Sequence, residues 1–366
     1  MRIKQVKITL LASVVAILSL SCVSGCGGGA SSLPGASSLP GASQPAGART
    51  FANPLLKQNA ADPWIIRHDG YYLFTFTQGN QIQIWKSPTI EGLSSARKTT
   101  VWQAPASGPN SHDIWAPEIH FLRGKWFIYY TATDGPDTNR RLFALEAKSA
   151  DPLGAYTPRG QLTVPGEGQD QYSIDGDVFE QNGALYLLWS GRENTSTGAQ
   201  NIYIAPLSDP VTVSGTRVRL SSPQLDWETR GWSVNEGPQA LQHGGRTFIV
   251  YSASGGSTPD YCLGMLSYTG GDLLSAASWQ KSPTPVFSSY EGPDGHVYGA
   301  GHNSFTTSPD GSEDWIIYHG KEDKTDTWNG RLPRAQKFTW NADGTPNFGH
   351  PIPSIVAMPI PKITTN

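Results

Sequence analysis

Gly124-Lys125-Trp126-Phe127-Ile128-Tyr129-Tyr130 is a turn residue and a charged residue followed by a run of aromatic and β-branched side chains. This pattern predicts a β-strand that begins directly after a tight turn. Similar stretches recur at intervals of about 55 to 70 residues, beginning at Gly70, Gly183, Gly244 and Glu313, and most are followed by a second strand-like run such as Ile82-Gln83-Ile84-Trp85. A multistrand unit repeated at this spacing predicts either a β-propeller with one sheet per repeat or a stack of β-sandwiches.

An ionisable residue lies just before or at the start of each of the five runs. In chain order these residues are Asp62, Glu118, Asp175 with Asp177, Glu236 and His302. In a propeller the first strand of every blade lines the central channel, so side chains at this position converge on the axis, whereas in a sandwich they would scatter. Converging carboxylates shift one another's pKa and indicate a functional site. The recurrence favours an all-β fold: a five-bladed β-propeller with four-stranded antiparallel blades around a central channel.

The composition is typical of many short strands joined by Gly/Pro turns. The 366 residues include Gly 40, Pro 28, Trp 12 and Tyr 14, while charged residues make up 16%. The net charge of -3 is too small to indicate nucleic acid or an anionic membrane surface as a partner. Neutral substrates fit this charge balance better.

The N-terminus has the pattern of an export signal. Arg2, Lys4 and Lys7 precede an apolar run, Ile8 to Leu20, that is too short to span a membrane comfortably. Val23-Ser24-Gly25-Cys26 then resembles the bacterial lipobox, so residues 1–26 are predicted to be a lipoprotein-type signal peptide with Cys26 as the lipid-bearing mature N-terminus. The alternative is cleavage by ordinary signal peptidase, with a secreted or periplasmic product.

Residues 27–50 carry a repeated Ser-Ser-Leu-Pro-Gly-Ala unit. A segment of this composition cannot bury enough apolar area to fold, which predicts a disordered linker. Residues 51–366 are then the propeller domain, with Cys262 as the only thiol of the mature chain beyond Cys26. Any membrane association would occur only through the lipid anchor.

Three acidic motifs follow one another in the chain: Ala61-Asp62-Pro63-Trp64, Ser173-Ile174-Asp175-Gly176-Asp177-Val178-Phe179 and Asn235-Glu236-Gly237-Pro238. In this order they resemble glycoside hydrolase family 43. The likeness covers about Asn53 to Pro353 and is reinforced by Ile114-Trp115-Ala116-Pro117-Glu118-Ile119 and Gly301-His302-Asn303-Ser304. The family consists of five-bladed β-propellers that remove or cut arabinose- and xylose-containing polysaccharides, so the resemblance implies the same fold and a glycosidase activity.

The resemblance implies a role for each of three carboxylates. Asp62 matches the family's general base, Glu236 its general acid, and Asp175 the third carboxylate, which orients the acid and tunes its pKa. Inverting hydrolysis needs a carboxylate that activates water on one face of the sugar and a protonated acid at the leaving oxygen on the other. A negative neighbour such as Asp175 would help to keep that acid protonated. Asp177 competes for the third role, but the family's Asp-Gly pattern matches Asp175, and Asp177 is interpreted as a turn or structural residue.

The resemblance also implies ligands beyond the carboxylates. His302 matches a Gly-His element that helps to hold a calcium or sodium ion in the central channel, with no organic cofactor; a hydrogen-bonded core histidine is the alternative. Arg331 matches a family arginine that donates hydrogen bonds to a sugar hydroxyl, with Arg334 or a surface salt bridge as alternatives. Trp64 and Trp115 are candidates for a sugar-facing wall because flat aromatic faces stack on the C–H side of pentose rings; core packing is the alternative.

The combination of motifs looks most like the arabinan-trimming branch of the family. It implies an exo-acting α-L-arabinofuranosidase that releases L-arabinose by inversion from plant cell-wall arabinan, arabinoxylan or derived oligosaccharides. A β-xylosidase and an endo-arabinanase on the same scaffold stay open, because loop lengths around the site decide among them. A non-catalytic carbohydrate-binding propeller is a further alternative, but such a protein has no use for three carboxylates at separate blade entrances.

Overall fold

The computed structural model describes residues 49–167, 171–194 and 197–363. The predicted signal peptide, Cys26 and all but the last two residues of the predicted linker lie outside these ranges. The described residues form twenty-four strands and four short 3-10 segments, and none of them is in an α-helix. Consistent with this, the described part of the chain has no helix long and apolar enough to cross a membrane.

The strands fall into five blades in chain order. After β1 (Thr50–Phe51), the first blade contains β2 (Trp64–His68), β3 (Tyr71–Thr75), β4 (Gln81–Ser87) and β5 (Arg97–Gln103), and the second contains β6 (His112–Leu122), β7 (Lys125–Thr133), β8 (Arg141–Ala147) and β9 (Tyr156–Gln161). The third contains β10 (Ser173–Gln181), β11 (Ala184–Gly191), β12 (Asn201–Asp209), β13 (Thr212–Val213) and β14 (Val218–Ser221). The fourth contains β15 (Asn235–His243), β16 (Arg246–Ala253), β17 (Cys262–Tyr268) and β18 (Trp279–Lys281). The fifth contains β19 (Tyr290–Gly292), β20 (Gly295–Thr307), β21 (Asp314–Lys321), β22 (Leu332–Trp340) and β23 (Pro346–Asn347), and β24 (Met358–Pro359) follows it.

The five-bladed, all-antiparallel propeller predicted from the repeats is confirmed. Blades one, two and four have four strands each, paired in simple chain order. The third and fifth blades have five. In the third blade β13 and β14 both pair with β12, and in the fifth β19 pairs with the first residues of β20 while β23 pairs with the last residues of β22. These additions are two to four residues long and do not alter the ring.

The hydrophobic core is divided among the blade interfaces. Five clusters of buried side chains occur, and each combines residues from two neighbouring blades, including one between the fifth blade and the first. Within β3, Tyr72 and Phe74 pack towards the fifth blade and Leu73 packs towards the second. Since both faces of the second strand of a blade are covered, its sequence is a continuous apolar run rather than an alternating one.

The first and last segments of the described chain close the ring. β1 pairs antiparallel with β24, and Leu55 donates its N–H to the Pro333 carbonyl at 2.8 Å. The buried Asn53 side chain donates to the Ala335 carbonyl at 3.0 Å and accepts the Ala335 N–H at 2.9 Å. The segment before the first blade is therefore hydrogen-bonded to the fifth blade, so that the motif around Asp62 lies beside the motif around His302.

Candidate active site

The inner strands share a backbone feature at one end of the channel. Each blade has a left-handed residue at the corresponding position: Asp62 (φ 58°), Ala116 (φ 41°), Asp175 (φ 55°), Gly237 (φ 53°) and His302 (φ 52°). In the last four blades the residue lies within a register shift of the ladder between the first two strands. A non-glycine residue in this region costs about 1 to 2 kcal/mol. The bulges re-aim side chains at a site and store strain there, which is typical of functional positions.

Asp62 is surrounded by hydrogen-bond donors. Its Oδ2 accepts the Thr77 hydroxyl at 2.6 Å. Its Oδ1 lies 3.2 Å from His302 Nδ1 and 3.4 Å from an Arg331 guanidinium nitrogen. Its backbone N–H donates to His319 Nδ1 at 3.2 Å, which assigns His319 an unprotonated Nδ1. The carboxylate is thus fixed in position by groups from the first and fifth blades.

The charge on Asp62 is stabilised despite its burial. Burial by itself would raise the pKa of Asp62, but His302, Arg331, His319 and the Thr77 hydrogen bond outweigh it and lower the pKa to about 2. Burial also lowers the pKa of both His302 and His319, so both imidazoles are neutral near pH 7. Arg331 is then the neighbour with a full positive charge, and Asp62 is ionised at neutral pH.

Glu236, the residue before the left-handed Gly237, has the opposite environment. Its Oε1 accepts the Tyr261 hydroxyl at 2.8 Å and its Oε2 accepts a Gln200 amide N–H at 3.1 Å. Burial raises the pKa of Glu236 to about 7, with a further contribution from the Asp62 charge, while the Tyr261 and Gln200 hydrogen bonds oppose the rise. A carboxyl group with this pKa is partly protonated at neutral pH and can deliver a proton.

Asp175 connects the third blade to the fourth next to Glu236. Its side chain is 4% exposed, its Oδ2 accepts the Gly237 N–H at 3.0 Å, and its own N–H donates to Thr131 Oγ1 at 3.1 Å. Burial, then Glu236 and Asp62, raise the pKa of Asp175 well above its usual range. Burial is thus the first cause of the raised pKa of both carboxyl groups, and because their interaction is mutual, Asp175 and Glu236 titrate as a pair.

Asp177, the competitor of Asp175 in the sequence, lies in a different part of the channel. Its Oδ1 is 3.9 Å from His120 Nε2, and its Oδ2 accepts the Ala240 N–H at 2.9 Å. His120 Nε2 in turn lies 3.2 Å from Glu118 Oε2. Asp177 therefore belongs to a buried cluster with Glu118 and His120. It lies inside β10 and not in a turn, and a structural role for it stays a prediction.

Of the two candidate arginines, Arg331 lies at the site. Its guanidinium reaches Asp62 and its Nε donates to the Trp328 carbonyl at 3.1 Å. Arg334 is 0% exposed and is hydrogen-bonded to Glu322 and, at 3.2 Å, to the Ile352 carbonyl. Arg334 thus holds the fifth blade together and does not compete for the role of Arg331.

The two candidate tryptophans are both half-buried but have different surroundings. Trp64 donates its indole N–H to the Ile119 carbonyl at 2.8 Å, and its ring lies 4.6 Å from the His120 ring. Trp115 has the Arg140 guanidinium 3.7 Å from its ring centre. One face of Trp115 is thus covered by a cation, and Trp64 packs within the channel. Sugar contact by either residue stays a prediction.

One ring nitrogen of His302, the residue predicted to help hold an ion together with ordered waters, is directed at Asp62. His302 Nδ1 faces the Asp62 carboxylate, and the Arg331 guanidinium approaches the same oxygen, so a cation there would meet a fixed positive charge. In the described part of the chain, one group of three His, Cys, Asp or Glu side chains has its potential ligand atoms within 4.8 Å of one another, namely Glu118, His120 and Asp177. The ion at His302 stays a prediction.

Four site residues had no signal in the sequence. Thr77, Gln200, Tyr261 and His319 lie in loops or strands outside the three acidic motifs, and each contacts Asp62 or Glu236. Tyr261 also stacks on His319, with ring centres 5.5 Å apart. With these residues around them, Asp62 is an ionised carboxylate and Glu236 a partly protonated carboxyl group at the same end of the channel. This is the pair needed for general acid-base chemistry.

Comparisons with known proteins agree with this chemistry. Residues 51–346 match the model of glycosyl hydrolases family 43. An extracellular exo-alpha-(1->5)-L-arabinofuranosidase of Streptomyces avermitilis is 45% identical over 83% of this chain, although the chain covers only 64% of that protein. A protein of the same description from Streptomyces chartreusis is 39% identical over 75% of the chain and 83% of its own length. The crystal structure of an alpha-L-arabinofuranosidase from Lactobacillus brevis superposes with a TM-score of 0.77 at 39% identity, covering 83% of this chain and 98% of that one.

Proposed function

Since the chain belongs to glycosyl hydrolase family 43, we propose that it is an inverting exo-α-L-arabinofuranosidase that releases L-arabinose from arabinan or arabino-oligosaccharides. The observation that carries the proposal is the pairing of Asp62, whose pKa is lowered to about 2, with Glu236, whose pKa is raised to about 7. The names of the relatives that are 39 to 45% identical support arabinose as the sugar. Plant cell-wall arabinan and arabinoxylan are the corresponding polymers.

The reaction assigns one proton movement to each carboxyl group. Glu236 donates its proton to the glycosidic oxygen as the bond from that oxygen to the anomeric carbon breaks. Asp62 removes a proton from the water that attacks the anomeric carbon from the opposite face, so the configuration inverts. After the reaction Asp62 is protonated and Glu236 ionised, and exchange with solvent restores both. Arg331 keeps Asp62 in place and offers donors to a sugar hydroxyl.

Digestion of arabinan and arabinoxylan side by side tests the proposal. L-Arabinose as the only early product from arabinan, initially in the β configuration by NMR, is the expected result. Longer arabino-oligosaccharides as first products would indicate an endo-arabinanase, and xylose release with an untouched aryl arabinofuranoside would indicate a β-xylosidase. Binding of either polymer without any turnover would indicate a non-catalytic propeller.

We propose further that the protein is exported and lipid-anchored through Cys26. The basic start, the short apolar run and the lipobox support it, and the word extracellular in the names of two relatives supports export. Radiolabelled palmitate should be incorporated into the wild type and not into Cys26→Ala. Export without incorporation would instead indicate a secreted or periplasmic protein.

The dependence of kcat/KM on pH should follow from the two shifted carboxyl groups. Glu236 must be protonated, so activity should fall as the pH rises through about 7. Asp62 must be ionised, so activity should be retained on acidification until the pH approaches its lowered pKa of about 2. Because Asp175 and Glu236 interact, the basic limb reports the pair. Initial rates on 4-nitrophenyl α-L-arabinofuranoside across the stable pH range measure both limbs, and an acidic limb near pH 5 would contradict the assignment of Asp62.

Tyr261→Phe should move the basic limb upward. The Tyr261 hydroxyl donates to Glu236 Oε1 and thereby stabilises the ionised form, so its loss should raise the pKa of Glu236 by about one unit. The phenyl ring preserves the stacking on His319. Tyr318→Phe is the matched control, since this buried hydroxyl donates to Gln336 at 2.9 Å. An unchanged or lowered limb in Tyr261→Phe would refute the predicted coupling.

A further inference from the structure

Two tryptophans form an exposed aromatic surface beside the site. All twelve tryptophans lie in the described residues, and only Trp232 and Trp328 are exposed, at 50% and 52%. Their rings stack on each other, with centres 5.6 Å apart and planes inclined by 10°. Trp232 comes from the segment before β15 and Trp328 from the segment between β21 and β22. We call this pair of side chains the tryptophan ledge.

The ledge begins beside the proton donor. A Cβ on Gly256 would lie 3.4 Å from Glu236 Oε1 and 3.2 Å from Trp328 Cζ3. The Glu236 carboxyl group and the Trp328 ring therefore both lie next to Gly256. A Cβ on Gly255 would lie 3.0 Å from Trp232 Cε3. Two adjacent glycines therefore allow the indoles to lie directly on the backbone next to the acid. From Glu236 outward, the aromatic surface continues through Trp328 to Trp232.

The ledge is also tied to the other side of the site. Arg331, which contacts Asp62, donates its Nε–H to the Trp328 carbonyl, and its guanidinium carbon lies 5.1 Å from the centre of the Trp328 ring. A residue that positions Asp62 thus helps to orient Trp328. Arg331 therefore helps to fix the position of the ledge relative to Asp62.

A buried lysine fixes the loop that carries Trp328. Lys321, 2% exposed, donates hydrogen bonds to the Ser257 carbonyl and, at 2.8 Å, to the Thr325 carbonyl. The Thr327 N–H also donates to the Ser257 carbonyl at 3.0 Å, and the Ser257 hydroxyl donates to Asp326. The loop is therefore hydrogen-bonded to the segment after β16. A binding surface ordered in advance loses little conformational entropy when a ligand is bound.

We propose that the tryptophan ledge is a binding subsite for the leaving-group part of the glycan, holding a neutral pentose ring one or two sugars beyond the cleaved bond. This inference rests on the proposed function, because Glu236 protonates the leaving oxygen and so marks the side on which the remaining chain departs. Indole faces pack against the C–H face of a sugar without requiring charge. The ledge would give the enzyme a preference for oligosaccharides over substrates with one sugar.

Trp232→Ala tests the subsite with two substrates. The ratio of kcat/KM for arabinotetraose to kcat/KM for 4-nitrophenyl α-L-arabinofuranoside should fall by about tenfold, because the tetrasaccharide extends past Trp328 to Trp232, whereas the nitrophenyl group occupies only the position next to Glu236. Trp232→Phe, which retains a flat ring, should recover part of the ratio. Tyr71→Ala is the control: Tyr71 is 41% exposed and lies at the β2–β3 turn, at the other end of the blade from Asp62. An unchanged ratio in Trp232→Ala would overturn the proposal, and so would equal losses on both substrates.

Failure of the proposed function gives a different result. A wild type that cleaves xylo-oligosaccharides in place of arabino-oligosaccharides would refute the arabinose assignment, while the same ratio measured with xylotetraose and the aryl xyloside would still test the ledge. For a wild type without turnover, calorimetric titration with both tetrasaccharides decides: weaker binding by Trp232→Ala than by Tyr71→Ala supports the ledge. Equal binding by the two variants, or none by the wild type, overturns it.

Discussion

Glu236→Gln should lower kcat for arabino-oligosaccharides by about 10³-fold with little change in KM. The amide keeps the size of the side chain, and its oxygen can still accept the Tyr261 hydroxyl, whereas its NH2 group replaces the oxygen that accepts the Gln200 N–H. The amide has no acidic proton for the leaving oxygen. The loss should be much smaller, about tenfold, on 4-nitrophenyl α-L-arabinofuranoside, because nitrophenolate leaves without protonation. The basic limb of the pH profile should also disappear, since it reports the proton on Glu236.

Rates on both substrates and binding of arabinotriose measure these effects. Glu180→Gln is the matched control, because Glu180 is exposed and lies near the far end of β10. Equal losses on the oligosaccharide and the aryl glycoside would contradict proton donation by Glu236. A basic limb that persists in Glu236→Gln would point to Asp175 as the titrating acid.

Asp62→Asn should lower kcat by about 10³-fold or more on every substrate. For Glu236→Gln, by contrast, a loss of this size is expected only on substrates with poor leaving groups. Water must be activated whatever the leaving group, so a good leaving group should not rescue this variant. Asn is preferred to Ala here because Asp62 has a φ of 58, and Asn tolerates the left-handed region far better than Ala. The amide oxygen can still accept the Thr77 hydroxyl.

Measurements of kcat on aryl and oligosaccharide substrates, together with the Tm, show whether Asp62→Asn loses activity through the reaction itself or through unfolding. Asp69→Asn is a closely matched control, since Asp69 is exposed and also left-handed, with a φ of 47, at the turn on the other end of the first blade. Asp69→Asn should keep the wild-type Tm within about 2 °C, whereas Asp62→Asn should lower it by a few degrees because the ion pair with Arg331 is lost. A folded Asp62→Asn variant without activity then reports the loss of chemistry. Retained activity of Asp62→Asn on the aryl glycoside would remove Asp62 from the role of base.

Much of the fold could be predicted because the propeller repeats a local pattern. The second strand of each blade is covered on both faces, as Leu73 and Phe74 illustrate, so every blade contributes an apolar run after a turn. The short extra strands β13, β14, β19 and β23 were not predicted. They pair only at the ends of longer strands, and two- to four-residue pairings have no periodicity to detect.

The surroundings of the carboxylates could be predicted less well than the carboxylates themselves. Tyr261 and Gln200 bind Glu236 from 25 and 36 residues away in the sequence, and His319 lies 257 residues from Asp62. The His319 contact arises from closure of the ring and the other two from packing within and between the third and fourth blades, and none has a sequence spacing of its own. The same holds for Arg331, for which the sequence left Arg334 open: only the folded chain shows one beside Asp62 and the other buried against Glu322.

The amino-acid sequence by itself determined that the chain forms five antiparallel blades and that Asp62, Asp175 and Glu236 stand at the starts of inner strands, because apolar runs and turns are local properties. Only the tertiary structure decided which carboxyl group is ionised. Asp62 is placed against Arg331, His302 and Thr77, whereas Glu236 is buried beside Tyr261 and Gln200. A pKa depends on desolvation and on charges within a few ångströms. These are set by residues that meet only in the folded chain: the first and last blades come together around Asp62, and the third and fourth around Glu236.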